Sequence, residues 1–295
     1  FCNKLWNALR LLQGWEVTEI EKNDGDHAIA ELANQWLDAR INQTLVLLQD
    51  QFNSYRLSEA LITVYKLIWD DFCSWYLEMV KPAYQHPIDA ATKAVTIKYF
   101  EEILKLLHPF MPFITEEIHH MLKTQTQDLC VQELAPIGKV DESVLHAGVL
   151  LKNVISTLRD ARNKNQIKPK DAIDVHIQSE NNTAYQTIQN ILAKQVNAKT
   201  VAYTNAPIGS SIVVALEKDK FYLVSDQAID TVGLKENLLK DLAHQKGFLE
   251  SVEKKLANEK FVQNAKPEVI AIEQKKKADA LARIQTIEES LVQLG

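Results

Sequence analysis

The sequence predicts a mainly α-helical protein: a helical bundle, then a small α/β module, then an antiparallel coiled-coil hairpin. Three observations carry this expectation. Long stretches repeat apolar residues at spacings of three and four, the period of a helix with one buried face. Glycine and proline are scarce, eight of each in 295 residues, which favours long helices over many turns. Between about residue 173 and residue 224 several short stretches alternate with a period of two, the mark of strands. The expected divisions are 1–139 for the bundle, 140–232 for the module and 233–295 for the hairpin.

The bundle begins with "FCNKLWNALRLLQG". Leu5, Leu9 and Leu12 share one face, with Trp6 beside them, and Gly14 supplies a stop. Asn3, Lys4, Asn7 and Arg10 occupy the opposite face. They form a strip of hydrogen-bond donors long enough to follow a nucleotide or two, although any solvated helix face can look the same. Asp26 is the expected cap of a second helix carrying Leu32, Trp36, Ile41, Leu45, Leu48 and Phe52. A third helix should keep Leu57, Leu61, Val64, Ile68, Phe72, Trp75 and Met79 on one stripe until Pro82 ends it. The aromatic weight of Trp69, Phe72, Trp75 and Tyr76 reads as core rather than as a stacking platform. Asp89 can cap a fourth helix that runs to Leu107. Pro109 stops that helix, and Pro112 suits the first turn of the next, with Glu116 and Glu117 expected in that first turn. His119 and His120 are adjacent and point in different directions, so they form no metal pair, and no metal is expected.

Glu133 to Val140 reads as a linker. Asp141 is the expected cap of a helix with Val144, Val149, Leu151, Val154, Ile155 and Leu158 as its apolar positions. That helix runs into "RDARNKNQIKPK", where Arg159, Arg162, Lys164, Lys168 and Lys170 collect against Asp160. Arg159, Arg162 and Lys168 are candidate RNA contacts, while cations at a helix C-terminus also stabilise the helix itself. "AIDVHIQ" alternates Ile173, Val175 and Ile177 as a strand. "TAYQTIQNILAKQV" returns to helix. "AKTVAYT", "SSIVVAL" and "KFYLVS" are further strands. Gly209-Ser210 is a turn and not a phosphate loop, because no GxxxxGK or GxGxxG is present.

The last segment should fold back on itself. Leu238, Leu242, Leu249, Val252 and Leu256 form one stripe. Ile270, Ala280, Ile284, Ile287, Leu291 and Leu294 form the other, with Glu273 and Lys277 filling two heptad positions. Asn264 and Pro267 break the chain between them. Neither stripe can be buried alone, so the two arms should pair as an antiparallel coiled coil. Roughly 26 residues per arm at ~1.5 Å each give a reach of about 40 Å. A turn centred near Ala265 brings Lys254 and Lys255 level with Lys275, Lys276 and Lys277 as one band of ammonium groups, with Glu253, Glu259 and Glu273 diluting the field.

Two resemblances give these elements a function. "KKLANEKF" before the turn and "P-E-V" after it resemble the C-terminal arm of valyl-tRNA synthetases. The family pattern at the turn usually reads Ala-Pro-Glu-Val. Here it reads Ala265-Lys266-Pro267-Glu268-Val269, with a lysine inserted. "NKLWNALR", "YRLSEALITVYKLIWDDFCSWYLEMVKP" and "LHPFMPFITEEI", in this order and spacing, resemble the helical anticodon-binding domain of the class I synthetases for valine, isoleucine and leucine. The resemblance implies a bundle that grips the anticodon stem-loop and an arm that reaches the outer corner of tRNA. It also implies a full-length, ATP-using valine–tRNA ligase that is cytoplasmic and monomeric. Asn3, Lys4, Asn7, Arg10, Arg159, Arg162, Lys168, Lys254, Lys255, Lys275, Lys276 and Lys277 are the candidate tRNA contacts.

Composition fits this reading. The net charge is −6, which argues against a uniformly basic coat. From Leu234 onward, 11 Lys and Arg meet 10 Asp and Glu, so the remainder carries −7. RNA contact outside the hairpin must therefore be local. Cys2, Cys73 and Cys130 are isolated and build neither a disulfide framework nor a zinc site. No apolar run approaches the ~18 residues of a membrane span, and no signal peptide opens the chain. The HIGH and KMSKS signatures of class I catalysis do not occur, nor does any arguable nucleophile–base set or editing site. Aminoacylation chemistry and its ATP site are accordingly expected N-terminal to Phe1. The rivals are the same region of an isoleucyl or leucyl enzyme and a non-enzymatic coiled-coil interaction protein. The isoleucyl enzymes commonly end in a cysteine-rich zinc module, and the leucyl enzymes lack so long a terminal hairpin.

Overall fold

A computed structural model describes residues 1–19, 24–122, 127–225, 231–258, 261 and 267–293. Side chains at 24, 231–234, 236–238, 268, 290, 292 and 293 are excepted. The chain divides into two compact units, Phe1–Val149 and Leu150–Gly295.

In the first unit, α1 (Cys2–Gln13) buries Leu5, Ala8, Leu9 and Leu12, the face its spacing predicts. α2 (Asp24–Asn53) starts two residues before Asp26, so Asp26 lies inside the helix and not at its cap. α3 (Leu57–Lys66) continues into a π-helical segment, Leu67–Tyr76, and then into α4 (Leu77–Val80). The looser i→i+5 winding shifts the phase of the buried face. This corrects the single predicted stripe. Leu57 and Leu61 are 54 % and 40 % exposed and Trp75 is half-buried, while Leu67, Asp71, Cys73 and Tyr76 turn inward. The helix ends before Lys81, whose ψ of 141° is the extended conformation that a following proline imposes.

The core of this unit is aromatic. Phe72 stacks on Phe100 and Tyr76, at centroid distances of 5.2 and 5.8 Å. The buried Tyr76 hydroxyl donates to Asn34 Oδ1 at 2.8 Å and lies 3.2 Å from Thr96 Oγ1, so no polar cost is left open. Asp71, also buried, pairs with the Arg40 guanidinium at 2.8 Å. A two-residue parallel pair, β1 (Val17–Thr18) with β2 (Ile88–Asp89), ties the end of α1 to the start of α5 (Ala90–Leu107). It is too short to show a period in the sequence. Asp89 caps α5 as predicted, accepting from Thr92 N at 2.8 Å. Pro112 is the first residue of α6 (Pro112–Leu122). Glu116 and Glu117 fall in its second turn, not its first. Asp141 caps α7 (Glu142–Lys164), accepting from Ser143 N at 3.0 Å and Val144 N at 3.3 Å. Val149, predicted apolar and inward, is exposed. Gly148 is buried instead, with a Cβ position only 2.3 Å from the Trp36 ring.

In the second unit, α7 buries Leu151, Val154, Ile155 and Leu158. β3 (Ile173–Gln178), α8 (Asn182–Val196) and β4 (Ala198–Tyr203) form a parallel βαβ unit. β5 (Ile212–Leu216) and β6 (Asp219–Ser225) form a hairpin whose second strand pairs antiparallel with β3. The sheet order is β4-β3-β6-β5. Ile173, Val175 and Ile177 all point into the core. α9 (Thr231–Leu256) and α10 (Pro267–Gln293) pack on each other. Their ion pairs, Lys246–Glu288, Glu253–Lys277 and Lys255–Glu273, run in antiparallel order. Val252, Ala280 and Ile284 are buried, and Leu242, Leu249, Leu256, Ile270, Ile287 and Leu291 are half-buried. Glu273 sits in its predicted heptad slot, only 6 % exposed. Asn264 and Ala265, the Leu238 side chain and Leu294 lie outside the described residues.

Candidate nucleic-acid interface

The exposed face of α1 carries Asn3, Asn7 and Arg10, with Lys4 half-buried. Lys4 Nζ lies 5.0 Å from the centroid of the Trp69 ring, a cation–π contact that holds the ammonium at the surface without consuming its charge. Tyr65 stacks on Trp69 at 5.7 Å, and the Phe1 ring lies tilted against Tyr65 at 5.0 Å. The sequence assigned Trp69 to the core. It is instead half-buried, next to an exposed Tyr65.

The basic cluster after Leu158 separates into two kinds of residue. Arg159 is exposed and donates through Nη2 to Gln195 O at 3.0 Å and Gln195 Oε1 at 2.9 Å. Lys168 is exposed. Lys164 pairs with Asp241 of α9 at 3.2 Å. Arg162 is different: it is only 4 % exposed. Its guanidinium donates to Val196 O, to Lys168 O at 2.5 Å and to Asp171 O at 2.6 Å. One fork thus joins three carbonyls of α8 and the α7–β3 loop, of which Lys168 O also accepts from Asp171 N at 3.0 Å. Burial pulls its pKa down, and Asp171 pulls it back up.

The five lysines of the hairpin are all present at the surface or half-buried, and each has an acidic neighbour. Lys254 pairs with Glu250 at 2.6 Å, Lys277 with Glu253 at 2.8 Å and Lys276 with Glu273 at 2.8 Å. Lys255 stands 3.9 Å from Glu273, and Lys275 meets Glu217 of the β5–β6 turn at 2.8 Å. The hydrogen bonds from Lys254 and Lys276 hold Glu250 and Glu273 below the usual carboxylate pKa, while Glu217 raises that of Lys275. The pairs whose two side chains are both exposed, such as Lys254–Glu250 and Lys277–Glu253, are worth little individually, so a phosphate can displace the carboxylate there.

Among the described residues, one group has the composition to hold a metal ion: Glu116, His120 and Asp128. His120 Nε2 lies 3.1 Å from both carboxylates. Glu116 also accepts from Leu129 N, at 2.9 and 3.1 Å, which pins the segment after α6. The adjacency of His119 and His120 hides this group in the sequence, because the partners of His120 are one helical turn back and eight residues on.

Residues 34–177 match the anticodon-binding domain of tRNA ligase. A bundle of that kind joined to a lysine-bearing helical hairpin defines the tRNA-binding region of an aminoacyl-tRNA synthetase. Residues 230–295 match the valyl tRNA synthetase tRNA binding arm, and the chain belongs to the valyl-tRNA synthetase family. Valine–tRNA ligases of Christiangramia forsetii and Parabacteroides distasonis are each 39 % identical to it, over 298 and 296 residues. That of Porphyromonas gingivalis is 40 % identical over 298 residues. Each alignment covers 100 % of this chain and 33 % of the relative. The chain thus spans about a third of the length of the curated relatives it matches. Among the described residues, no helix is long and apolar enough to cross a membrane.

Proposed function

We propose that this chain is the tRNA-gripping part of a cytoplasmic, monomeric valine–tRNA ligase, which uses ATP to join valine to its tRNA. The catalytic and editing sites of that ligase belong to the region N-terminal to Phe1. One observation carries the reading: an anticodon-binding domain and a valyl-type arm occur in one chain. Residues 1–139 serve as the anticodon-binding domain, 140–232 as the connecting module and 233–295 as the arm. Asn3, Lys4, Asn7 and Arg10 face the anticodon stem-loop, where donors meet phosphate and unpaired base edges. Lys254, Lys255, Lys275, Lys276 and Lys277 meet backbone phosphates at the outer corner of the tRNA, with Arg159 and Lys168 as further cationic contacts. Arg162 drops out of this contact set because its guanidinium is spent inside the protein.

The test uses the 295-residue chain itself. It is expected to bind valine-accepting tRNA, to bind the isolated anticodon stem-loop more weakly, and to show no valine-dependent ATP–pyrophosphate exchange. Lys4→Ala with Arg10→Ala should weaken stem-loop binding while moving stability by under ~0.5 kcal/mol, as surface substitutions do. Failure of the chain to bind any tRNA would overturn the reading and favour a protein-interaction role for the coiled coil.

A further inference from the structure

The arm is held at its side by the α/β module. α10 packs along β5, and two ion pairs fasten it there. Lys275 reaches Glu217 at 2.8 Å, and Glu289 reaches Lys220 at 2.5 Å. The two α10 residues are fourteen positions apart, about 21 Å at 1.5 Å per residue. Their partners are only three positions apart, at the turn end of one β-hairpin. A single contact would let a helix swivel. Two contacts separated by that length of helix fix its direction. Lys164–Asp241 adds a tether from α7 to α9.

The hairpin turn itself points the same way. Leu216 pairs with Asp219, so the turn is two residues, Glu217 and Lys218. Glu217 has φ 53°, a left-handed conformation that glycine or asparagine adopts at less cost. The strained position is filled by the residue whose carboxylate meets Lys275, and strain of this kind collects where a side chain is needed. The Lys220–Glu289 pair is the better shielded of the two, with side chains 23 % and 39 % exposed. Gln285 Nε2 donates to the other Glu289 oxygen at 3.0 Å.

We propose that the β5–β6 hairpin is a cradle that sets the direction of the tRNA-binding arm. Lys220–Glu289 is its main pin, and Glu217–Lys275 is a second one that holds while Lys275 is not taken by phosphate. The module is then more than a spacer: Lys220 and Glu289 are positioning residues that act on tRNA through the arm, and Glu217 steadies the free arm. This rests on the tRNA-binding reading above.

The test measures arm direction and tRNA affinity separately in the 295-residue chain. Cys2 and Cys130 are replaced by serine. Cys73 is buried and its thiol is pushed up to about 11 by burial, so it stays unlabelled. Spin labels are placed through Gln186→Cys on α8 and Ala257→Cys near the arm tip. A narrow distance distribution is expected. Lys220→Glu, Glu289→Lys and Glu217→Gly should each broaden it, while the Lys220→Glu/Glu289→Lys exchange narrows it again. Glu217→Gly relieves the backbone and should melt no earlier than the parent, so its broadening cannot be blamed on unfolding. Full-length tRNA affinity should fall by roughly three- to tenfold in Lys220→Glu and in Glu289→Lys and recover in the exchange. Anticodon stem-loop affinity should stay constant. Unchanged distance distributions would overturn the cradle whatever the RNA does. Broadened distributions with unchanged tRNA affinity would overturn its role in tRNA binding. If the parent chain binds no tRNA, the functional reading falls while the distances still decide the cradle.

Discussion

Arg162 stands in the densest run of positive charge outside the arm, and it is the member of that run that no phosphate can reach. Residue type suggested surface, but spacing pointed the other way. Leu151, Ile155, Leu158 and Arg162 follow one another at four, three and four, so the guanidinium lies on the apolar stripe of α7. Arginine can be buried in that place because its flat fork matches several carbonyls at once. Arg162→Ala should lower stability by about 2–4 kcal/mol, since charged hydrogen bonds are lost and buried carbonyls are left open. Arg162→Lys should recover little of it, because an ammonium cannot span three acceptors. Thermal unfolding of the two variants checks this. Cys73 offers a second residue-level test. Burial raises its thiol to about 11, against a partial lowering by Lys4. It is therefore protonated at pH 8, and only the thiolate reacts. Two of the three thiols, Cys2 and Cys130, should titrate quickly with a disulfide reagent in the native protein, and Cys73 only on unfolding.

Among the elements, legibility followed the regularity of the winding. α1, α5, α7 and β3 obey fixed periods, and their caps at Asp89 and Asp141 were readable from sequence because one side chain makes each cap. The helix from Leu57 to Val80 was readable as a helix but not in its facing. A stripe drawn at a period of 3.6 loses its phase across the π-helical segment. β1 and β2 are two residues each and carry no period at all. A pair of glycines shows how the same substitution should diverge between elements. In a helix interior, alanine is worth about 1 kcal/mol more than glycine. Around Gly247 of α9 nothing lies within 4 Å of the added Cβ, so Gly247→Ala should stabilise the protein by up to about that amount. At Gly148 of α7 the Cβ would stand 2.3 Å from Trp36 Cδ1 and Nε1. Gly148→Ala should therefore destabilise, because the indole must leave its place in a packed core, and overpacking costs about 1–3 kcal/mol. Paired thermal melts decide both signs.

For the whole molecule, the order of modules was legible because each type of period spans tens of residues, whereas the state of the lysine band was not. The heptads set Lys254, Lys255, Lys275, Lys276 and Lys277 level, but the carboxylates that meet them come from three separate places: Glu250 and Glu253 on α9, Glu273 inside the seam and Glu217 on the sheet. Neutralising all five lysines should lower affinity for full-length tRNA, flatten its salt dependence and leave the anticodon stem-loop unaffected. A titration of both RNAs at several salt concentrations checks it. Equal losses for both would mean that the lysines act as a diffuse field. Each phosphate contact ordinarily contributes about 0.7–0.9 to the slope of log affinity against log salt. Here the flattening should be smaller per lysine. When a phosphate takes Lys277, Glu253 is left bare, and a bare carboxylate gathers a cation from solution. Part of what the RNA gives up to the solvent is thus taken back by the protein. The arm behaves as a zwitterion: it repays a polyanion that can engage several lysines together and offers little to one that touches them singly. Its selectivity between nucleic acids then comes from exchange, one anion for another, rather than from attraction at a distance.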